Sequence, residues 1–215
     1  MSNLTNLIFN CSDDIINPLK KVFRKKGYVF FNGPFNVNLI GIRAKERDIR
    51  KMSDRFLLVY EDHLCNWHAE ILVGTTVPGE FYHYNYTNPD GLGIIVPGQY
   101  RGAFRKGKHK GRDALIQNTT FKVYRDSNKD GVIDKNVIKD APPSCRFNFH
   151  HAKSSIHPHK IFIKNIGRFS EGCQVPANWV KYKMCFDIIS YSMKLYNSKS
   201  ITYTLLDEDD LKMGE

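Results

Sequence analysis

The segment Ser170-Glu171-Gly172-Cys173 and the pair His150-His151, behind Phe147-Asn148-Phe149, hold the residue types needed for nucleophilic acyl transfer. A cysteine that follows glycine can expose its sulfur and turn its own N–H toward a developing oxyanion, because glycine tolerates the sharp approach. A histidine within reach can take the thiol proton and return it to a leaving amine. On this reading Cys173 is the nucleophile, His150 the base and then the acid, and the N–H groups of Gly172 and Cys173 hold the oxyanion. Ser170 and Arg168 line the approach, and Arg168 can grip a substrate carboxylate with two parallel bonds. The plain alternative is a buried structural thiol, since free cysteine is often a core residue.

The elements that must deliver these groups are mostly strands. Side chains alternate along a strand, so in 146–150 Asn148 and His150 share one face while Phe147, Phe149 and His151 share the other. That parity selects His150 over His151 for proton transfer. Strands are predicted at 35–42, 55–60, 67–73, 92–96, 114–117, 120–124 and 201–206, punctuated by Gly, Pro and Asn turns. A charged stretch at 44–54 interrupts the first two. An amphipathic helix is predicted over 12–26, with Ser12 as its N-cap, acids in its first turn, bases in its last and Gly27 beyond it. Helical spacing returns between 176 and 196. The expected fold class is mainly β, a β-rich α+β arrangement. Residues 1–34 are expected to form an N-terminal helical extension, 35–206 the catalytic domain and 207–215 an acidic tail.

With 215 residues and 41% hydrophobic content, the chain suits one folded domain. No run approaches the ~20 apolar residues that span a bilayer, so no membrane insertion is expected. The N-terminus lacks a basic segment followed by an apolar one, which points to synthesis in the cytoplasm without a signal peptide. Five cysteines without a C-x-x-C pair favour free thiols over disulfides or zinc. The His150-His151 and His157-Pro158-His159 cluster is a further candidate for metal. A net charge of +10 implies attraction to polyanions. Its densest block, 101–112, suits nucleic acid, anionic wall polymers or a solvated loop face.

Asp126, Asn128, Asp130 and Asp134 occupy positions 1, 3, 5 and 9 of a calcium-loop pattern with Gly131 at position 6. Val137 stands at position 12, where the bidentate acid of an EF-hand belongs. The chain therefore requires no cofactor, and any Ca²⁺ here binds in the ~10⁻⁴–10⁻³ M range. A hairpin closed by Asn, Asp and Gly explains the same residues.

The order of segments resembles the catalytic domain of the L,D-transpeptidases of the YkuD type, which remodel peptidoglycan through a cysteine acyl-enzyme. Its T-P-x-G-x-F-like segment corresponds to Thr76-Val77-Pro78-Gly79-Glu80-Phe81, its strand-end histidine to His150, and its S-x-G-C to the segment ending in Cys173. Val96-Pro97-Gly98-Gln99-Tyr100-Arg101, His109-Lys110-Gly111 and Val123-Tyr124-Arg125-Asp126 resemble a divergent bacteriophage and bacterial branch. Glu171 stands where that family usually has histidine, and Val175 where it has Arg or Asn. The resemblance implies a β-sandwich with a helix and a strand after the cysteine, and a His151 carbonyl that orients the His150 imidazole. Glu171, Tyr100, Arg101 and His109 are further substrate-binding candidates. It implies a peptidoglycan hydrolase or L,D-transpeptidase acting on stem peptides at the wall or periplasm, as a released phage lysin or a virion component. The competing readings are an inactive virion or wall-binding protein of the same fold, and a basic nucleic-acid-binding protein.

Overall fold

Strand β1 (Asn38–Arg43) buries all six of its residues, because both of its faces are covered. In the computed structural model, which describes residues 13–152 and 160–214, it lies mid-sheet beside β2 (Asp54–Glu61) and β10 (Ile201–Asp207). Outward from β2 come β3 (Trp67–Thr75) and the two-residue β9 (Val175–Pro176); outward from β10 come β5 (Gly98–His109) and β6 (Arg112–Gln117). The β1–β10 pair is parallel and the other neighbours are antiparallel. A second sheet holds β4 (Gly93–Ile95), β7 (Phe121–Arg125) and β8 (Asp134–Ala141) in the order β4-β7-β8. The protein is mainly β, of the β-rich α+β class.

Period-two alternation sorts the large sheet into two cores. Leu39, Phe56, Leu58, Leu72, Tyr203 and Leu205 face Tyr182, Phe186 and Ile189 of helix α3 (Trp179–Leu195) and Ile95, Phe121 and Val123 of the small sheet. Ile40, Ile42, Leu57, Val59 and Leu206 face Ile16, Leu19, Val22 and Phe23 of helix α1 (Asp13–Lys26). Burying a side chain such as Leu19 or Phe23 contributes about 1.5–3 kcal/mol. The N-terminal helix is thus one wall of the core. Helix α1 ends before Gly27, whose φ of +69° suits the residue after a helix terminus. Residues 208–214 form a 3₁₀ helix packed on α1, with Asp210 paired to Lys26 at 2.7 Å.

Three elements depart from expectation. β5 covers most of the basic block 101–112, over which no strand is predicted from sequence, and its charged residues are exposed on both faces toward the hairpin tip, which hides the strand period. β8 exposes nearly every residue and leaves no apolar alternation to read. Residues 146–150 form no regular strand: Arg146 enters the left-handed region at φ 58°, Asn148 N–H folds back to Arg146 O at 2.8 Å, and only Phe149 bridges its neighbours, Leu115 and Gln174. The chain reaches the histidine as a crossing segment between two sheet edges. Among the described residues, no helix is long and apolar enough to cross a membrane.

Candidate active site

Phe149 bridges Gln174 in parallel, so Cys173 lies abreast of Asn148 on the face shared with His150. Main-chain bonds fix that register: Gln174 N–H donates to Asn148 O at 2.8 Å, and His150 N–H donates to Gln174 O at 3.1 Å. Phe147 and Phe149 turn into the α3 core, while Ala152, Val175 and Ala177 join a smaller apolar cluster against which Cys173 packs. The expected parity of 146–150 therefore holds without a regular strand. Cys173 is partly buried, and its thiol donates to Arg146 O at 3.4 Å.

His150 is 8% exposed, and its Nδ1 lies 3.2 Å from the carbonyl of His151. A carbonyl only accepts, so Nδ1 carries the proton and Nε2 is the basic lone pair. That Nε2 is buried and has no hydrogen-bond partner among the described residues. The His109 ring stacks on His150 with centroids 4.1 Å apart and planes within 7°. Asn148, whose Nδ2 lies 3.1 Å from His109 Nδ1, holds that second ring in place. His151 takes the other face and packs against Tyr182 at 5.1 Å.

Both reacting groups are neutral in the free protein. Burial, then the neighbouring His109, lowers the His150 pKa to about 3. Burial also pushes the Cys173 thiol up to about 11; Glu171 raises it further, while the Asn148 N–H and Lys110 work the other way. His109 is lowered by burial, Lys110 and Arg146. The site thus has a neutral thiol and a neutral imidazole on one face, the thiol turned to Arg146 O, with Lys110 and Arg146 lending positive potential at its edge.

The turn that carries Cys173 tolerates no side chain at Gly172. Its φ is +127°, and an added Cβ would meet Gly93 O and a Phe147 ring carbon at 2.7 Å each. Ser170 is fully buried; its Oγ donates to Cys173 O at 2.8 Å and accepts from Gly172 N–H at 3.1 Å. That second bond corrects one expectation: the Gly172 N–H is spent inside the turn and leaves the Cys173 N–H for an oxyanion. The Ser170 carbonyl accepts from Gly79 N–H at 2.9 Å, so the Thr76–Phe81 and Ser170–Cys173 motifs meet in space.

Other predicted residues scatter. Glu171 is a clasp, accepting from Thr87 N–H and Oγ1 at 2.6 Å each and from Asn88 N–H at 3.3 Å, which occupies its carboxylate. Arg168 stacks 3.9 Å over Phe81 at the mouth, and its carbonyl accepts from Tyr82 of helix α2 (Glu80–Tyr84). Tyr100 and Arg101 are not in the site. They lie toward the far end of β5, roughly 26–30 Å of strand from His109 at ~3.3 Å per residue. The Tyr100 hydroxyl donates to Val96 O at 2.7 Å, and Arg101 stacks on Phe31 beside a separate cavity of about 390 Å³.

The 126–134 loop uses its oxygens on its own backbone. Asp126 accepts from Asp130 and Gly131 N–H, Asp130 from Val132 N–H, and Asp134 from Asn136 N–H, while Asn128 Nδ2 donates to Asp130. No group of three or more His, Cys, Asp or Glu converges as a metal site among the described residues. His157 and His159 lie outside the described residues.

Sequence reasoning missed Asn148 as the His109 anchor, Lys110 at the hairpin tip, and Gln174 and Tyr203 beneath the turn. The parity that selected His150 also pointed to Asn148; nothing local marked Tyr203, which arrives from a strand 29 residues after Gln174. Comparisons with protein-family models, with curated proteins and with solved structures return no match in any of the three.

Proposed function

We propose that the chain is a cysteine-dependent acyl-transfer enzyme that opens or exchanges stem-peptide amide bonds of peptidoglycan. The observation that carries this reading is the His150 Nε2, buried, unpartnered among the described residues, and on the face it shares with Cys173. Leaving a buried nitrogen unpaired costs ~1–3 kcal/mol, a cost that makes sense where a thiol proton must be received. Because thiol and imidazole are both neutral, His150 works as a general base at the moment of attack. The sulfur bonds the carbonyl carbon, the thiol proton passes to Nε2, and the amine leaves with that proton to give a thioester. Water or a second amine then releases the acyl group.

The substrate class comes from the resemblance of the motif order to L,D-transpeptidases, supported by the bond that joins the Thr76–Phe81 and Ser170–Cys173 segments. Lys110 and Arg146 supply the cations that a stem-peptide carboxylate needs. Digestion of purified sacculi with mass analysis of the released muropeptides tests the reading. The wild type should shorten or re-link stem peptides and Cys173→Ala should not. Identical muropeptide profiles for the two would end it.

A further inference from the structure

Beneath the nucleophile runs a buried chain of hydrogen bonds that the acyl-transfer step above does not use. Tyr203 Oη donates to Gln174 Oε1 at 2.7 Å, and Gln174 Nε2 donates to Gly172 O at 3.1 Å. Both residues are fully buried, and Tyr203 comes from β10, in the middle of the large sheet. The Gly172 carbonyl and the Cys173 N–H belong to one peptide unit. No peptide bond among the described residues is cis, so the two point in opposite directions. Gln174 lies on the core side of its strand and Cys173 on the site side. Drawing the carbonyl toward Gln174 therefore aims the Cys173 N–H outward, toward the sulfur's own side. Among the described residues that N–H donates to no acceptor.

We infer that Gln174 and Tyr203 are positioning residues that fix the Cys173 N–H as the oxyanion donor of the site. The inference rests on the acyl-transfer reading and adds to it a reason why this donor stays oriented without substrate. Preorganisation of this kind matters because a donor that need not reorient stabilises developing charge most. Glutamine suits this link because one amide accepts from the tyrosine hydroxyl and donates to the main-chain carbonyl.

Two reactions at the same sulfur separate positioning from general damage. Acylation by p-nitrophenyl acetate passes through a tetrahedral oxyanion: sulfur bonds the acetyl carbon, p-nitrophenolate departs with its electron pair, and the thiol proton goes to His150. Alkylation by iodoacetamide displaces iodide and forms no oxyanion. Both are followed on the full-length protein by peptide mapping at Cys173. Gln174→Met and Tyr203→Phe should slow acylation roughly 10- to 100-fold, less than the ~10²–10³ lost with an oxyanion donor itself because the Cys173 N–H remains, and leave alkylation within about 2-fold. An equal fall in both reactions, or no fall in acylation, overturns the inference. Wild-type Cys173 that is alkylated but never acylated would instead sink the acyl-transfer reading itself.

Discussion

The turn at 170–173 and the loop at 126–134 both present themselves in sequence as chemistry, and the structure treats them in opposite ways. In the loop, the aspartate oxygens are consumed by the loop's own N–H groups. At the turn, the polar atoms that would do chemistry are left over: the His150 Nε2 lacks a partner among the described residues, and the Cys173 N–H lacks an acceptor there. Residue type is similar evidence in both places. What distinguishes them is which atoms stay unpaired among the described residues: at the turn they are the imidazole nitrogen and the N–H that flank the thiol, whereas the loop pairs its carboxylates and leaves unpartnered only the neighbouring His83 Nε2, whose ring meets Gly131 O through Nδ1 at 2.7 Å.

The largest effect that can break this contrast is at Gly172. Gly172→Ala forces a Cβ into Gly93 O and Phe147 and demands a left-handed φ, so it should destabilise by about 2–5 kcal/mol. Activity should vanish with the turn. Denaturant melts check this, and a variant as stable as wild type would show that the turn can relax. Gly131→Ala, in the loop, also has positive φ but a roomier 3.1 Å approach to His83 O, and should cost clearly less.

The neutral histidine gives a pH signature. His150 is depressed to about 3 in the folded state against about 6.5 unfolded, so between these values the unfolded chain binds the extra proton. Stability should therefore fall as pH drops from about 6.5 toward 3, by a few kcal/mol for this one group. His150→Gln, which has nothing to protonate, should flatten that slope in urea titrations across pH 4–7. An unchanged slope in the variant would mean that His150 is not the buried neutral group. For the same reason kcat/KM should show no inflection near pH 6.5, whereas a preformed thiolate–imidazolium pair would give a rising limb at acid pH where its thiol ionises.

The two histidines should separate cleanly in rate. His150→Gln removes the base and should lower kcat about 10²–10⁴-fold. His151 contributes its main-chain carbonyl, which survives substitution, so His151→Gln should cost less than about 10-fold. Equal losses in steady-state assays would contradict the assignment. The smallest effect belongs to the loop: millimolar Ca²⁺ should raise the melting temperature slightly if its oxygens can be turned from their N–H partners, and Asp130→Ala should abolish the rise. No rise at several millimolar leaves the segment a turn alone.

Much of the site could be read from local pattern. The parity of 146–150 was enough to put His150 and Asn148 on one face, because side-chain alternation is a local property; that Cys173 joins them depends on the Phe149–Gln174 bridge, which no local pattern marks. The large sheet was legible where strands have one core on each side, as in β1 and β2. β5 and β8 were not, since exposed strands at a hairpin or sheet edge carry no apolar period. Tyr100 and Arg101 were misplaced for a related reason: with no strand predicted over 98–109, the length of β5 that separates them from His109 was hidden. Gln174 and Tyr203 could not be paired from sequence at all, because their bond depends on which strands share the sheet.

The most direct test is to trap the thioester. The protein is incubated with disaccharide-tetrapeptide, quenched in acid and mapped by mass spectrometry, for wild type, His150→Gln and Cys173→Ala. The account predicts a stem-peptide acyl adduct on Cys173 in the wild type, much slower formation in His150→Gln, and none in Cys173→Ala. A folded wild type that carries no adduct on Cys173 and leaves the muropeptide unchanged would contradict it.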